Sequence, residues 1–220
     1  MVLNLYGMGI STCTRRVAAI LLEKKVPFLF VSVDAAKAEH KSAAYLKKQQ
    51  FGQVPYIVRL FLFYLPLPAG FHLREPGDLP LHRRKYANQG TLLVPIGTKE
   101  KALFEQAASV EYCKFERLAS KAVGEMVFKP MFGQAADKAL FDSLIENLSA
   151  KLDAYEVILG MHKYLAGNEV TLVNLFHLPY TTMLAQAANN DHQASKCYQV
   201  VPGYFWKTVV KKGVESTISY

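Results

Sequence analysis

The stretch Leu5-Tyr6-Gly7-Met8-Gly9-Ile10-Ser11-Thr12-Cys13-Thr14-Arg15-Arg16-Val17 limits the fold more than any other part of the chain. Ahead of it, Val2, Leu3 and Leu5 form a short apolar run bounded by a glycine, the pattern of a buried strand. Behind it, Val17, Ala18, Ile20, Leu21 and Leu22 recur at helical spacing, and Glu23-Lys24-Lys25 places cations at the negative end of that helix. Between strand and helix stand Gly7 and Gly9, then the hydroxyl side chains of Ser11, Thr12 and Thr14. Such a helix start presents backbone N–H groups at a positive dipole end, which favours an anion or a thiolate. One of these hydroxyls could equally serve only as an N-cap. On this stretch alone both roles stay open.

The next segments extend the pattern. Pro27 to Asp34 is rich in β-formers and reads as a second strand, parallel to the first because a helix separates them. His40-Lys41-Ser42 leads into a short helix over Ala43–Lys48. Then comes Phe51-Gly52-Gln53-Val54-Pro55-Tyr56-Ile57, a Val-Pro at the start of a strand. That position suits a cis peptide, with the backbone before it free to pair with a ligand's main chain. An edge-strand proline would read the same way.

Composition narrows the classes. With 220 residues, 51% of them hydrophobic, the chain can bury one large core or two small ones. The net charge of +8 fits acidic ligands, but no long Lys/Arg block argues for nucleic acid. Cys13, Cys113 and Cys197 match neither a disulfide framework nor a zinc site, which points to a reducing compartment. The most apolar run, Leu60 to Phe71, is interrupted by Pro66 and Pro68 and is too short to span a bilayer. Residues 1–6 read as a strand, so no signal peptide is expected. The expectation is a cytoplasmic protein without membrane insertion.

In this order and spacing, STCTRRV, EHKSAAYLKK and QFGQVPYI resemble the N-terminal domain of the phi-class (plant) glutathione transferases. The resemblance resumes at KYANQGTLLVP, KEKALFEQAAS and KYLAGNEVTLVNLFHLPY. It implies an α/β thioredoxin-like domain over residues 1–86, a linker over 87–96 and an all-α helical domain over 97–220, in a cytosolic homodimer. It also implies glutathione as co-substrate, no metal, and conjugation of the glutathione thiolate to small hydrophobic electrophiles in detoxification. Glutathione peroxidase activity is a further implication. Carried over motif by motif, Ser11 is the catalytic hydroxyl that hydrogen-bonds the glutathione sulfur. His40, Lys41, Gln53, Val54 and Pro55 hold the tripeptide, Val54 through its backbone. Met8 and Ile10, with Tyr112, Phe115 and Ala119 from the helical domain, are the candidates for the hydrophobic pocket.

The residue types suit that chemistry. A free thiol, with a pKa of about 8.5, is mostly protonated at neutral pH. A hydroxyl donor and a helix N-terminus aimed at the sulfur both favour its ionised form, each unit of pKa lowering being worth about 1.4 kcal/mol. Lys41 and His40 can pair with the glycine carboxylate of glutathione.

From Val58 to Arg84 the resemblance stops. The family continues with a hairpin strand and a Glu-Ser-Arg-Ala-Ile helix start whose Glu and Ser bind the γ-glutamyl end. This chain has VRLFLFYLPLPAGFHLREPGDLPLHRR. Codons for Phe-His-Leu-Arg-Glu-Pro-Gly-Asp-Leu-Pro-Leu-His-Arg can, in a shifted frame, encode Phe-Ile-Tyr-Glu-Ser-Arg-Ala-Ile-Cys-Arg-Tyr-Ile, the missing segment. Residues 58–84 therefore read as partly unspliced, frame-shifted sequence. The fourth strand and third helix are expected to be lost with it, and Pro76 and Pro80 would break that helix. Glu75 is followed by Pro76, so the family's Glu-Ser role is not carried over. A second shift is read at 198–205, before the pattern resumes at Trp206-Lys207-Thr208-Val209.

In the helical domain, Lys99–Ser120 reads as one long helix, most of whose apolar residues form a core stripe. Leu140, Leu144, Leu148 and Leu152 mark a packed helix over Lys138–Leu159. Val170 to Leu175 has the form of a capping box with a hydrophobic staple, Asn174 standing where the family has Asp. His177 reads as a satisfied core histidine rather than a ligand. Loss of the Glu-Ser site keeps two other classes open: a non-catalytic carrier of small apolar anions, and a degenerate family member with impaired glutathione binding.

Overall fold

In the computed structural model, which describes residues 3–59, 65–66 and 89–188, the apolar run at the start forms β1 (Leu3–Gly7), with Leu3, Leu5 and Gly7 buried. α1 (Thr12–Glu23) follows, and β2 (Phe28–Ser32) returns parallel to β1, in register from Leu3 opposite Phe28 to Gly7 opposite Ser32. The intervening helix makes parallel pairing possible. After the short helix α2 (Ala43–Leu46), β3 (Tyr56–Arg59) lies antiparallel on the other side of β1, with Tyr6 opposite Tyr56. β4 (Leu65–Pro66) pairs antiparallel with β3 and completes the order β2-β1-β3-β4.

The fourth strand, expected to be lost, thus survives as a two-residue remnant against Tyr56 and Ile57. Ladder pairing uses main-chain groups, and at the edge of a sheet a proline is tolerated. Residues 60–64 and 67–84 of the frame-shifted reading, the segment 198–205 and Trp206–Val209 lie outside the described residues.

Alternation along β1 divides the first unit, residues 1–92, into two layers. On one face Leu3 and Leu5 pack with Val17 and Leu21 of α1 and with Val26. On the other, Tyr6 packs against a cluster of Val33, Tyr45 and Tyr56, joined by Met8, Val54 and Val58. The close approach of α1 to β1 requires Gly7, where a Cβ would stand 2.6 Å from both Oγ1 and Cγ2 of Thr14.

The second unit begins at Leu93, within the stretch read as the linker. Its first helical run is longer than expected and is not uniformly α-helical. It consists of α3 (Thr98–Val110), a π-helical turn (Glu111–Glu116), α4 (Arg117–Val123), a second π turn (Gly124–Phe128) and α5 (Lys129–Met131). Pro130 crowds the carbonyl four residues before it, and the second wide turn sits just ahead of it.

α6 (Lys138–Met161) is capped by Asp137, whose Oδ1 accepts the Leu140 N–H at 2.9 Å. It buries Phe141, Leu144, Ile145, Leu148, Leu152 and Tyr155, whereas Leu140 is 43% exposed. A four-residue step overshoots a helical turn by about 40°, so a row of leucines at that step drifts off the buried face.

α7 (Leu172–Ala188) is buried on nearly every side, as its all-round apolar sequence requires. At its start, Asn174 Oδ1 accepts the Thr171 N–H at 3.0 Å and the Thr171 hydroxyl at 3.2 Å, the polar half of the expected box. Pro179 lies inside α7, and the hydroxyls of Thr181 and Thr182 donate to carbonyls around it. His177 is the expected core histidine: Nδ1 is 2.7 Å from the Val173 carbonyl and Nε2 is 3.4 Å from the Tyr155 hydroxyl. A carbonyl only accepts, so Nδ1 carries the proton and Nε2 accepts from Tyr155. Burial, and then the charge of Glu111, push the Tyr155 phenol well above its usual pKa, which keeps it a donor.

Candidate active site

Topology brings the candidate residues of the first unit together. β1 and β2 are parallel and β3 is antiparallel to both. The turn leaving β1 (Met8–Ser11), the segment leaving β2 toward His40 and Lys41, and the segment entering β3 (Gln53–Pro55) therefore lie at one end of the sheet. An end of this kind is where an open sheet carrying helices offers a ligand its loops.

Ser11 is the N-cap of α1, with φ −64° and ψ 126°, and its Oγ accepts the Thr14 N–H at 3.4 Å. Thr12 and Thr14 are 7% and 2% exposed, so of the hydroxyls at this helix start Ser11 is the more accessible. The Thr14 Oγ1 is used in packing against Gly7 and has no hydrogen-bond partner among the described residues. Capping uses the Ser11 oxygen as an acceptor, which leaves its O–H proton to be donated. The capping and catalytic roles, alternatives at the level of sequence, are compatible here. The turn is braced by Ser11 N–H donating to the Met8 carbonyl at 3.0 Å and by Arg15 Nε donating to the Gly9 carbonyl at 2.8 Å. Cys13, half-buried and outside any disulfide among the described residues, follows in the first turn of the helix.

His40 and Lys41 belong to a short 3₁₀ turn, Glu39–Lys41. Lys41 Nζ donates to the Gly52 carbonyl at 2.8 Å, so the ammonium is already anchored beside the Gln53 loop. Gly52 makes this approach possible. Its φ is +59°, and a Cβ there would come within 2.9 Å of both the His40 carbonyl and Lys41 Cδ.

The Val54–Pro55 peptide is cis, as expected. Among the described residues, neither main-chain polar group of Val54 has a hydrogen-bond partner. Three buried side-chain atoms nearby are also unpartnered among those residues: His40 Nδ1, Gln49 Nε2 and Gln53 Oε1. Orphaned buried polar atoms are rare in folded proteins and invite a ligand as their explanation. Two residues that sequence reading missed shape this loop. Tyr45 donates its hydroxyl to the Gln53 carbonyl at 2.7 Å, and Gln49 Oε1 accepts the Gln53 N–H at 3.0 Å. No spacing in AAYLKKQQ marks either contact. Burial, then the neighbouring Tyr56 and Glu39, push the Tyr45 phenol above its usual range, so it remains a donor.

The pocket candidates separate. Met8 and Ile10 are half-buried in the first unit, Met8 packing on the same cluster as Val54. In the second unit Phe115 and Ala119 are 1% and 0% exposed, and the Phe115 ring lies 4.5 Å from that of His177. For those two the core-stripe reading holds, because both sit on the buried side of the helical run. Tyr112, 47% exposed, is the helical candidate that reaches solvent.

Known proteins resemble the chain over parts of both units. Residues 5–62 match the family described as glutathione S-transferase, N-terminal domain, and residues 119–190 its C-terminal domain. Glutathione S-transferase PM239X14 of Arabidopsis thaliana is 41% identical over 186 residues, 83% of this chain and 82% of that protein. The chain belongs to the glutathione S-transferase family. Its relatives include plant phi-class enzymes, as the N-terminal motifs indicated. The crystal structure of glutathione transferase F7 from Populus trichocarpa matches with a TM-score of 0.74 at 31% identity, covering 96% of this chain and 98% of that one. A structure of glutathione S-transferase-I bound with lactoylglutathione matches with the same TM-score, 0.74, at 26% identity, covering 96% and 99%. This transferase therefore combines a thioredoxin-like N-terminal domain with a helical C-terminal domain and is an enzyme that uses glutathione. Among the described residues no helix is long and apolar enough to cross a membrane, and no group of three or more His, Cys, Asp or Glu could hold a metal.

Proposed function

We propose that this transferase conjugates glutathione to small hydrophobic electrophiles, with Ser11 donating its hydroxyl proton to the sulfur and so stabilising the thiolate. Lys41 and His40 pair with the glycine carboxylate, the Val54 main chain pairs with that of the tripeptide, and Gln53 and Pro55 complete the cradle. Met8 and Ile10, in the turn that leads to Ser11, are the residues proposed to meet the electrophile. The observation that carries the reading is the meeting, at one sheet end, of a serine-capped helix start and a cis-proline segment in which the Val54 main chain is unpaired among the described residues. The lactoylglutathione in the related structure supports a site for glutathione carrying an adduct. Retention on immobilised glutathione, followed by a conjugation assay, tests it. Retention with kcat/KM lowered roughly ten- to hundred-fold in Ser11→Ala is expected; undiminished turnover in that variant refutes the mechanism.

The cytoplasm is the proposed compartment, in keeping with cysteines that match no disulfide framework. A homodimer is the proposed assembly. Phe51, 67% exposed at the tip of the glutathione loop, is an apolar side chain that a second copy would cover. Sedimentation of wild type against Phe51→Ser reads this directly, a monomeric wild type refuting it.

Residues 58–84 are proposed to derive from frame-shifted sequence. A transcript spanning these codons should read Glu-Ser-Arg-Ala-Ile in the alternative frame. Codons incompatible with that peptide refute the proposal. A chimera carrying the in-frame segment should bind glutathione more tightly than the chain described here.

A further inference from the structure

Tyr45, 4% exposed, belongs to the short helix α2 (Ala43–Leu46) and reaches across to the glutathione loop. Its hydroxyl donates to the Gln53 carbonyl at 2.7 Å, while its ring stands edge-on to Tyr56, with centroids 5.0 Å apart and planes at 81°. It thus grips the residue before Val54 with its oxygen and the residue after Pro55 with its ring. Gln49, 1% exposed, holds the other side of Gln53 by accepting its N–H at 3.0 Å. Both main-chain polar groups of Gln53 are therefore fixed by buried side chains, and neither is fixed by a strand or helix.

These contacts act on more than Gln53. Its carbonyl shares one planar peptide with the Val54 N–H, and that peptide is trans, the cis bond being the next one along. In a trans peptide the N–H points opposite to the carbonyl. A carbonyl held toward Tyr45 therefore turns the Val54 N–H away from the interior, and the bond to Gln49 fixes the preceding peptide plane. The Gln53 side chain and the Val54 main chain are aimed by the same pair.

We propose that Tyr45 and Gln49 are positioning residues for glutathione, presenting Gln53 and the Val54 main chain in the orientation the tripeptide requires. This rests on the site reading given above. A neutral hydrogen bond of this kind corresponds to roughly a three- to ten-fold effect on an equilibrium constant.

Steady-state kinetics and thermal unfolding of the full-length enzyme test the inference with Tyr45→Phe, Gln49→Met and, as a control on the site itself, Gln53→Ala. Tyr45→Phe keeps the ring against Tyr56 and removes only the hydroxyl; Gln49→Met keeps the volume and removes the acceptor. Each is expected to raise KM for glutathione roughly three- to ten-fold, with kcat at saturating glutathione and KM for the electrophile unchanged. Gln49→Glu, which keeps an acceptor oxygen, is expected to restore KM. A lowered Tm with unchanged KM for glutathione in both Tyr45→Phe and Gln49→Met would mean a purely structural role and would overturn the inference. If Gln53→Ala raises KM and those two variants do not, the site stands and the positioning claim fails. If Gln53→Ala itself leaves KM unchanged, the site reading fails and this inference falls with it.

Discussion

The Oγ of Ser11 accepts the Thr14 N–H across 3.4 Å, a long bond for an N-cap. The hydroxyl therefore contributes little to holding the helix start, and its removal should be felt more in catalysis than in stability. For Ser11→Ala, kcat/KM should fall roughly ten- to hundred-fold, the range for losing one hydrogen bond to a charged group. Unfolding free energy should drop by less than about 1 kcal/mol. The pKa of bound glutathione, followed by ultraviolet absorbance of the thiolate, should rise in the same variant.

Gly52 offers a second test, in the backbone. Alanine there must adopt a φ of +59° with its Cβ 2.9 Å from the His40 carbonyl and Lys41 Cδ. The left-handed conformation alone costs about 1–2 kcal/mol. Gly52→Ala should lower Tm and raise KM for glutathione together, since relieving the contact displaces the Lys41 ammonium from the Gly52 carbonyl.

Thermal unfolding of variants at the start of α7 should separate folding from function. Asn174→Ala removes the acceptor for the Thr171 N–H and hydroxyl and should cost about 0.5–2 kcal/mol. Asn174→Asp keeps the oxygen and adds a negative charge at the helix N-terminus, a gain of about 0.3–1 kcal/mol at neutral pH. Neither should alter KM for glutathione.

Glu125 predicts a pH dependence of stability. Its carboxylate takes a 2.6 Å contact from Lys129 Nζ and the Asp137 N–H at 3.1 Å, and these bonds hold its pKa below the usual value, Lys129 contributing most. A carboxyl whose pKa is lower in the folded chain releases its proton more readily there, so its stabilisation is present above the unfolded pKa of about 4.5. That stabilisation is lost as pH falls through the lower, folded value. Wild type should therefore be more stable than Glu125→Gln at pH 7. Denaturant titrations should show the gap closing below pH 4.5 and not above it.

The alternation of strand, helix and strand over residues 3–32 could be read from the chain because the two periodicities are local and distinct. The Ser11 turn and the Val54–Pro55 peptide were legible for the same reason, each being a short motif with its own backbone requirement. What escaped depends on which neighbours a residue meets. Arg16 has the pattern of an exposed helix cation yet is 3% exposed. Leu29 and Phe30 sit in a run that reads correctly as a strand, but its place in the sheet does not show there: β2 is at the edge of the described sheet and they are 60% and 47% exposed. Tyr45 and Gln49 carry no spacing signal, because their partner is a main-chain group reached only after the loop folds back.

The wide turn at Glu111–Glu116 makes chain length a variable in its own right. Such a turn commonly holds one residue beyond the α-helical count. Everything after it is then rotated by about 100° relative to an uninterrupted helix. Deleting a single residue between Glu111 and Glu116 would swing the row that begins at Arg117, turning Ala119, Ala122 and Val123 out of the interior with no change in their chemistry. A length polymorphism in this helix would thus act as a rotation, rewriting which side chains meet Phe115 and His177 in one step.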